Sequence, residues 1–178
     1  MTVTNVSQKK PDLILEQYFL GKTFASGIFE DRFGNVRRQF TVDIDGIWDG
    51  KTLTLTEDFI FGDGETETRV WSIEKIAPAS YVGTADDVIG SAKGIVSGNT
   101  LNWKYDMRLK VGGSRVKVHF DDWMFLQPNG VLINKARVSK LGLDIGRVTI
   151  AFTKKADADF LSTIPSTNKQ PLVATLVR

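Results

Sequence analysis

The sequence predicts a single all-β domain in which an antiparallel meander of about nine or ten strands closes into a barrel. First, apolar and polar residues alternate through most of the chain, the period expected of strands with one buried face. Second, turn residues that tolerate positive φ recur at 49–50, 63–64, 98–99, 112–113 and 128–130. Third, no segment of helical period is long enough to cross between parallel strands. Closure follows because an open meander of this length leaves two unpaired edges.

The chain divides into three segments. Residues 1–11 are polar and predict a flexible N-terminus. Residues 12–154 form the barrel domain, which begins with a short helix in DLILEQYFLG, capped by Asp12 and ended by Gly21. Residues 155–178 predict a C-terminal tail that is packed on the barrel or flexible.

The hairpin around Gly112–Gly113 assigns two adjacent acids to opposite faces. A two-residue turn there places Tyr105 opposite Phe120 and Trp103 opposite Asp122. Asp122 therefore faces the apolar interior, and its neighbour Asp121 faces outward beside Lys104. The three-residue PNG turn that follows sets Met124 opposite Asn134, which makes Asn134 a diagonal neighbour of Asp122.

Two further hairpins bring charged residues to the inner face. The Asp49–Gly50 turn sets Glu57 opposite Val42 and Arg38 opposite Phe61. In the next strand, a one-residue bulge at the Gly64 turn would place Arg69 inside, diagonal to Glu57. The same bulge brings Trp71 to the inner face. In the first strand, Glu30 is expected inside, in line with Phe24 and Ile28.

Three interpretations of these inner polar residues remain open. In one, they form a structural network that pairs Glu57 with Arg38 or Arg69, and Asp122 with Asn134 and the Trp103 indole. In another, they lie in a cavity that binds a ligand or performs catalysis. In the third, a bulge at Asp121–Asp122 turns Trp123 and Phe125 inward. Gly94, expected opposite Trp103, either compensates for the size of that ring or leaves room for a ligand.

If the barrel is hollow, two groups of candidate site residues follow. Asp122 and Glu57 are candidate catalytic residues, because burial raises the pKa of a carboxyl group toward neutrality. The candidate ligand-binding residues are two arginines that would meet a carboxylate, aromatic residues that would line the walls, and one amide: Arg38, Arg69, Trp48, Trp71, Trp103, Tyr105 and Asn134.

Composition excludes several kinds of site. The 178 residues contain no cysteine and one histidine, so thiolate chemistry and zinc sites with several imidazoles are excluded. That histidine, His119, is expected on the outer face beside Asp106. The acid pair Asp86–Asp87 fits turn chemistry as well as a divalent cation, and neither a metal nor a cofactor is predicted.

The outer face of the hairpin at 101–124 carries four cations side by side, Arg108 and Lys117 in one pair and Lys110 and Arg115 in the next. A solvated face explains them, and the functional alternative is contact with an anionic membrane surface. Nucleic acid is not predicted, because the net charge is only +2 and the aromatic residues of the hairpin point inward.

Several blocks resemble a bacterial family of unknown function whose members are usually described as lipoproteins. They are FEDRFGNVRRQFTVDIDGIWDG, LTEDFIFGDGETETRVW, TADDVIGSAKG, GNTLNWKY and FDDWMFLQPNGVLINKARVSKLG, and they lie within about residues 28–152. The resemblance implies a lipocalin-like barrel in a lipid-related or envelope setting, and it brings no established activity. We therefore expect a barrel of the lipocalin or fatty-acid-binding type. This chain departs from the family in lacking a signal segment and a lipidated cysteine.

We expect the protein to bind a small hydrophobic or lipid-like molecule with a polar or carboxylate end. The alternative is a cofactor-independent isomerase, cyclase, hydratase or lyase that uses Asp122 or Glu57 as acid or base. As written, MTVTNVSQKK contains no signal segment and predicts a cytoplasmic protein, whereas a trimmed signal would place it in the periplasm or envelope.

Overall fold

A computed structural model of the chain describes residues 11–111 and 113–154. Within them the chain forms one short helix and ten strands. In chain order they are α1 (Leu15–Tyr18), β1 (Gly21–Asp31), β2 (Val36–Trp48), β3 (Thr52–Phe61), β4 (Thr66–Ala77), β5 (Ser80–Thr84), β6 (Val88–Ser97), β7 (Thr100–Val111), β8 (Ser114–Leu126), β9 (Leu132–Lys140) and β10 (Leu143–Thr153). The expected tail at 155–178 lies outside the described residues, as does the expected flexible N-terminus except for Pro11.

The ten strands form a closed antiparallel barrel. Each strand pairs with its neighbours in the chain, and β1 pairs with β10 to complete the ring. Closure gives the outer edges of the first and last strands a partner, so that their N–H and C=O groups are satisfied. The predicted fold class, an all-β meander closing into a lipocalin-like barrel, is confirmed.

The two ends of the barrel differ. One end, here called the closed end, carries α1, whose Leu15 and Phe19 are buried against the barrel interior. The segment before α1 is held there by a 2.8 Å hydrogen bond from the Leu13 N–H to the Gly98 carbonyl. The backbone of Phe19 occupies the space where a side chain on Gly46 would begin. The opposite end, here called the mouth, carries the turns that follow β1, β3, β5, β7 and β9.

The helix is shorter than the sequence indicated. It spans four residues rather than 12–21, and its N-cap is Ile14, in extended conformation with no side-chain cap bond, rather than Asp12. The Leu13 hydrogen bond to the barrel keeps the preceding backbone out of the helix. Glu16 instead ties the helix to the wall, accepting hydrogen bonds from Lys75 at 2.5 Å and Tyr81 at 2.7 Å.

The register of the hairpin around β7 and β8 agrees with the prediction. Tyr105 lies opposite Phe120, and Trp103 lies opposite Asp122. On the other side of β8, Met124 lies opposite Asn134. The hypothesis of a bulge at Asp121–Asp122 is therefore wrong, since the pairing of β8 with both neighbours runs through these residues without a shift.

The register of β2 against β3 differs from the prediction by two residues. Glu57 lies opposite Ile44 rather than Val42. The turn is centred on Gly50–Lys51 because the Asp49 carboxylate accepts hydrogen bonds from the backbone N–H groups of Lys51 and Thr52, at 2.8 and 2.7 Å. A shift of two residues preserves the face, so Glu57 still points inward.

The turn at Gly64 sets β4 so that Arg69 and Trp71 point into the barrel, as predicted. Gly64 has φ +86°, and the Phe61 N–H bonds the Glu65 carbonyl across a three-residue loop. Arg69 consequently lies directly opposite Glu57, closer than the diagonal position expected. In β1 the prediction for Glu30 is wrong. Phe29 lines the interior, and its neighbour Glu30 has the opposite facing.

Candidate functional site

The barrel encloses a cavity of about 950 Å³. Leu15 and Phe19 bound it at the closed end, and charged side chains surround it at the mouth. Its walls are largely apolar and include Phe40, Phe59, Phe61, Leu109, Val148 and Ile150. A cavity of this size and lining is typical of a site for a small apolar ligand.

Aromatic rings form one side of the cavity. Trp71 contacts Trp103 and Tyr105 edge-on, with ring centroids 5.7 and 5.4 Å apart. Tyr105 stacks on Phe120 at 5.0 Å. Trp48, which the sequence placed in this wall, is not among the residues that line the cavity. It packs partly buried against the core at the end of β2, because the last residues of this strand lie at the closed end.

Gly94 makes room for one of these rings. It lies opposite Trp103, and a methyl group on Gly94 would overlap the indole. Gly83 on the neighbouring strand is in the same position, with its missing Cβ 2.6 Å from the indole. The small residues here accommodate Trp103 rather than opening space for a ligand.

Arg69 is the centre of a cluster of carboxylates. Its Nε donates to Asp87 at 2.9 Å, and its Nη2 donates to Glu67 at 3.1 Å. Its Nη1 lies 3.8 Å from the Glu57 carboxylate, and only 16% of its side chain is exposed. The guanidinium therefore faces three acids within the protein itself.

Glu57 has a strongly perturbed environment. Its side chain is 14% exposed. Burial raises the pKa of Glu57 to about 7, against the opposing effect of Arg69, and the charge of Asp87 adds to the rise. A carboxyl group of this kind takes up and releases a proton near neutral pH.

Asp122 lies deep in the cavity wall, 4% exposed. Its Oδ2 accepts a 3.1 Å hydrogen bond from the Asn134 amide. Its Oδ1 and the Asn134 Oδ1 are both buried without a hydrogen-bond partner in the described part of the chain. Asn134, and not the Trp103 indole, is thus the expected partner that the structure shows bonded to Asp122. Burial raises the pKa of Asp122 to about 7, although the Asn134 bond opposes this.

Asp121 has the opposite facing, as predicted. Its carboxylate accepts a 2.7 Å hydrogen bond from the Asn102 amide and lies 3.7 Å from the Lys104 ammonium. Its side chain is 29% exposed, which is less than a free surface position. The two adjacent acids of β8 thus divide between the cavity and the outer surface.

Arg38 lies at the mouth rather than beside Glu57. Its guanidinium is 3.2 Å from Asp63, also bonds Glu65, and lies 3.6 Å from the centre of the Phe61 ring. The side chain is 34% exposed. The structural pairing of Glu57 with Arg38 is therefore wrong, and Arg69 is the arginine that faces Glu57.

The sequence pattern did not indicate that Asp87 and Glu67 are neighbours of Arg69. The acid pair in TADDVIG was a visible signal, but it follows a short strand. The pairing of β6 with β7 also carries an irregularity between Ile89 and Lys93, and face assignment by counting fails across such shifts. Asp87 has one buried oxygen without a partner in the described residues.

Three of the four cations predicted on the outer face are exposed and also lie among the residues that line the cavity. They are Arg108, Lys110 and Arg115, which lie near the turn between β7 and β8 at the mouth. The cross-strand pairs Arg108–Lys117 and Lys110–Arg115 are as predicted. Lys117 bonds Asp106 at 2.9 Å on the outside, and His119 bonds the same acid at 2.8 Å.

Neither a clustered metal site nor a membrane-spanning helix emerges from residues 11–111 and 113–154. No group of three or more His, Asp or Glu side chains among them is placed to hold a metal ion. No helix in the same residues is both long and apolar enough to cross a bilayer.

The fold and cavity define a lipocalin-like barrel. The family model described as "Protein of unknown function (DUF3833)" matches residues 1–154, and the chain belongs to this family. No curated protein matches the chain. A solved structure with a similar fold is the S-type phycobiliprotein lyase CPES from Guillardia theta, at 6% sequence identity and a TM-score of 0.53, covering 77% of this chain and 87% of the other.

Proposed function

We propose that the protein binds a small hydrophobic or lipid-like molecule with a polar end inside the barrel. The observation that carries this proposal is the cavity of about 950 Å³, apolar along its walls and open at one end. A few polar groups lie at depth among the apolar ones, which is the usual composition of a small-molecule site. The ligand-binding roles of Trp71, Trp103, Tyr105 and Asn134 belong to this proposal.

The two arginines are weaker partners for a ligand carboxylate than the sequence indicated. Arg69 is already neutralised by Glu57, Glu67 and Asp87. Arg38 is engaged by two acids at the mouth. A ligand carboxylate at either arginine would have to displace an internal partner, which removes most of the gain from the new bond.

A titration with the neutral, environment-sensitive dye Nile red tests the proposal. We expect its fluorescence to rise and saturate at one dye per chain, and methyl dodecanoate to displace it competitively. A dye signal that does not saturate, or that methyl dodecanoate leaves unchanged, would mean that no defined apolar site exists.

A second candidate function is that of a cofactor-independent enzyme on an apolar substrate, with Asp122 or Glu57 as acid or base. The observation that favours it is the burial of both carboxyl groups in the cavity wall, which raises the pKa of each to about 7, since proton transfer is most effective near the working pH. The similar structure named a lyase supports the fold alone at 6% identity. The fold is compatible with either class.

We also propose that the mouth contacts an anionic lipid surface through Arg108, Lys110 and Arg115. These cations lie near the β7–β8 turn and are among the residues that line the cavity. Two exposed apolar residues at the β9–β10 turn, Leu141 and Leu143, lie at the same end of the barrel, at 94% and 70% exposure. Cations beside exposed apolar side chains match an anionic lipid surface. The fourth predicted cation, Lys117, is engaged by Asp106 on the outer wall.

Vesicle co-sedimentation tests this surface. The triple variant Arg108→Gln, Lys110→Gln, Arg115→Gln should lose most binding to vesicles rich in phosphatidylserine, because each cation near such a surface contributes ~1 kcal/mol. Lys22→Gln, at the closed-end start of β1, is the control and should bind like the wild type. Equal binding of the triple variant and the wild type would overturn the assignment of the mouth.

A further inference from the structure

The polar groups at the base of the cavity include two hydrogen-bond acceptors without a donor. Asp122 Oδ1 and Asn134 Oδ1 are both buried and both lack a partner in the described residues. The residues themselves are 4% and 2% exposed, line the cavity, and are joined by the 3.1 Å bond from the Asn134 amide to Asp122 Oδ2. A buried acceptor without a donor is costly, so this pair is suited to a group that brings hydrogen-bond donors.

The charges around this pair are mainly negative. Glu57, Asp87 and Asp122 all line the cavity together with Arg69, whereas the other basic residues that line it lie near the mouth-end turns of their strands. Arg69 is itself bound to Asp87 and to Glu67 nearer the mouth. A carboxylate on a ligand would add a further negative charge to this environment, whereas a cation or a neutral donor would not.

The position of the pair suits the end of an elongated molecule. Asp122 is four residues from the closed end of β8 and eight from its mouth end, which puts it in the lower half of the barrel. On β7 and β8, the wall between it and the mouth is formed by aromatic and aliphatic side chains: Phe120, Tyr105, Met107 and Leu109. An apolar tail would extend along these residues toward the mouth while the polar end reaches Asp122.

We infer that the ligand carries a hydrogen-bond-donating, non-anionic head group, an ammonium or a hydroxyl, which lies against Asp122 Oδ1 and Asn134 Oδ1. This inference rests on the proposed function, and it replaces the carboxylate end that the sequence suggested. The head group enters first, and the tail follows toward the mouth.

Four ligands with the same chain length test the inference through displacement of Nile red at about pH 8. They are dodecylamine, dodecanol, dodecanoic acid and methyl dodecanoate. We expect dodecylamine and dodecanol to bind more tightly than dodecanoic acid in the wild-type protein, with no variant required. Tightest binding by dodecanoic acid would overturn the inference.

The Asp122→Asn variant sharpens the test, with Asp121→Asn as its matched control on the outer face. Asp122→Asn should weaken dodecylamine about 10- to 100-fold, the equivalent of one hydrogen bond to a charged group, and leave methyl dodecanoate unchanged. Asp121→Asn should leave all four ligands unchanged. Equal weakening of all four ligands by Asp122→Asn would overturn the placement of the head group at Asp122 and leave the proposed function standing. Failure of the wild-type protein to bind Nile red would overturn the proposed function itself.

Discussion

Asp122 is buried at a cost to the stability of the fold. Its pKa is about 7 in the folded protein because of burial, against ~3.9 in an unfolded chain. Between these values the folded state binds more protons than the unfolded state, so the free energy of unfolding falls as the pH rises from about 4 to about 7. Above pH 7 the charged carboxylate is buried without a cation bonded to it.

Asp122→Asn should therefore stabilise the protein at about pH 8, by ~1–4 kcal/mol. At about pH 4 it should have little effect, because the aspartate is then neutral in the fold. Glu57, Arg69 and Asp121 also act on this carboxyl, so the transition will be broad. Urea unfolding at the two pH values measures the difference. A variant that is less stable than the wild type at pH 8 would show that Asp122 is an ionised structural residue.

Asp121→Asn is the control for this prediction. Asp121 lies on the outer face, 3.7 Å from Lys104, where an exposed pair contributes ~0–1 kcal/mol. Its replacement should change stability little at either pH.

Replacing Arg69 should lower the stability of the fold, whereas replacing Asp122 should raise it. Arg69→Met should destabilise the protein by ~3–5 kcal/mol, because it leaves the buried carboxylates of Glu57 and Asp87 without a counterion. The loss should be smaller at about pH 5 than at about pH 8, because Glu57, with a pKa of about 7, is then protonated. Thermal and urea unfolding at both pH values measure it.

Arg38→Met is the matched control, since Arg38 also faces two acids but is 34% exposed at the mouth. It should cost only ~0–1 kcal/mol. Equal losses for the two variants would contradict the placement of Arg69 at the centre of a buried cluster.

The facing of single residues was predictable wherever the turn was unambiguous. The Asp122–Asn134 contact follows from two turns, Gly112–Gly113 and PNG, whose lengths the sequence specifies. Asp87 could not be assigned, because it follows a strand of five residues and precedes an irregular pairing. For Arg38 the inner face was predicted correctly, but its partners were not. Arg38 lies at the mouth end of β2, where Asp63 and Glu65 are its neighbours instead of Glu57.

At the scale of the element, the contact of β5 and β6 with β7 depends on small residues. Gly94→Ala should destabilise the fold by ~1–3 kcal/mol, because the new methyl group would overlap the Trp103 indole and push it out of its edge-on contact with Trp71. Near-ultraviolet circular dichroism should report the change in the environment of the indole. Denaturant unfolding gives the loss of stability.

Gly62→Ala provides the comparison in a turn. A methyl group there would meet Gln39 at an ordinary distance of 3.6 Å, so stability should change by less than about 1 kcal/mol. A Gly94→Ala protein as stable as Gly62→Ala would mean that the indole is not fixed against β6.

The existence of the strands and the helix was predicted better than the residues at which they begin and end. Alternation identified the strands, but the β2–β3 turn shifted by two residues because the Asp49 side chain selects Gly50–Lys51 as the turn centre. The helix was overestimated because apolar residues at 13, 14, 15, 18, 19 and 20 suit a helix and also suit a segment covering the barrel end. Only the hydrogen bond from Leu13 to Gly98 decides between them, and a contact across 85 positions in sequence is invisible to local periodicity.

At the scale of the whole molecule, barrel closure followed from the number of strands, but the existence of a cavity did not. The same alternation of apolar residues would suit a barrel filled with side chains. The difference depends on how the rings of Trp71, Trp103 and Tyr105 pack together on one side and leave the rest of the interior open. Such packing is a property of the assembled barrel.

The central claim is that this interior receives an apolar molecule, and filling the interior tests it most directly. Val148→Trp together with Ile150→Trp adds bulk to the cavity wall, whereas Ile47→Trp together with Ile60→Trp adds the same rings at exposed positions on the outside. Nile red titration should show binding weakened about tenfold or more, ~1.4 kcal/mol, in the first protein and unchanged in the second. Undiminished binding by a folded Val148→Trp, Ile150→Trp protein would contradict the account, because the dye would then be bound outside the barrel.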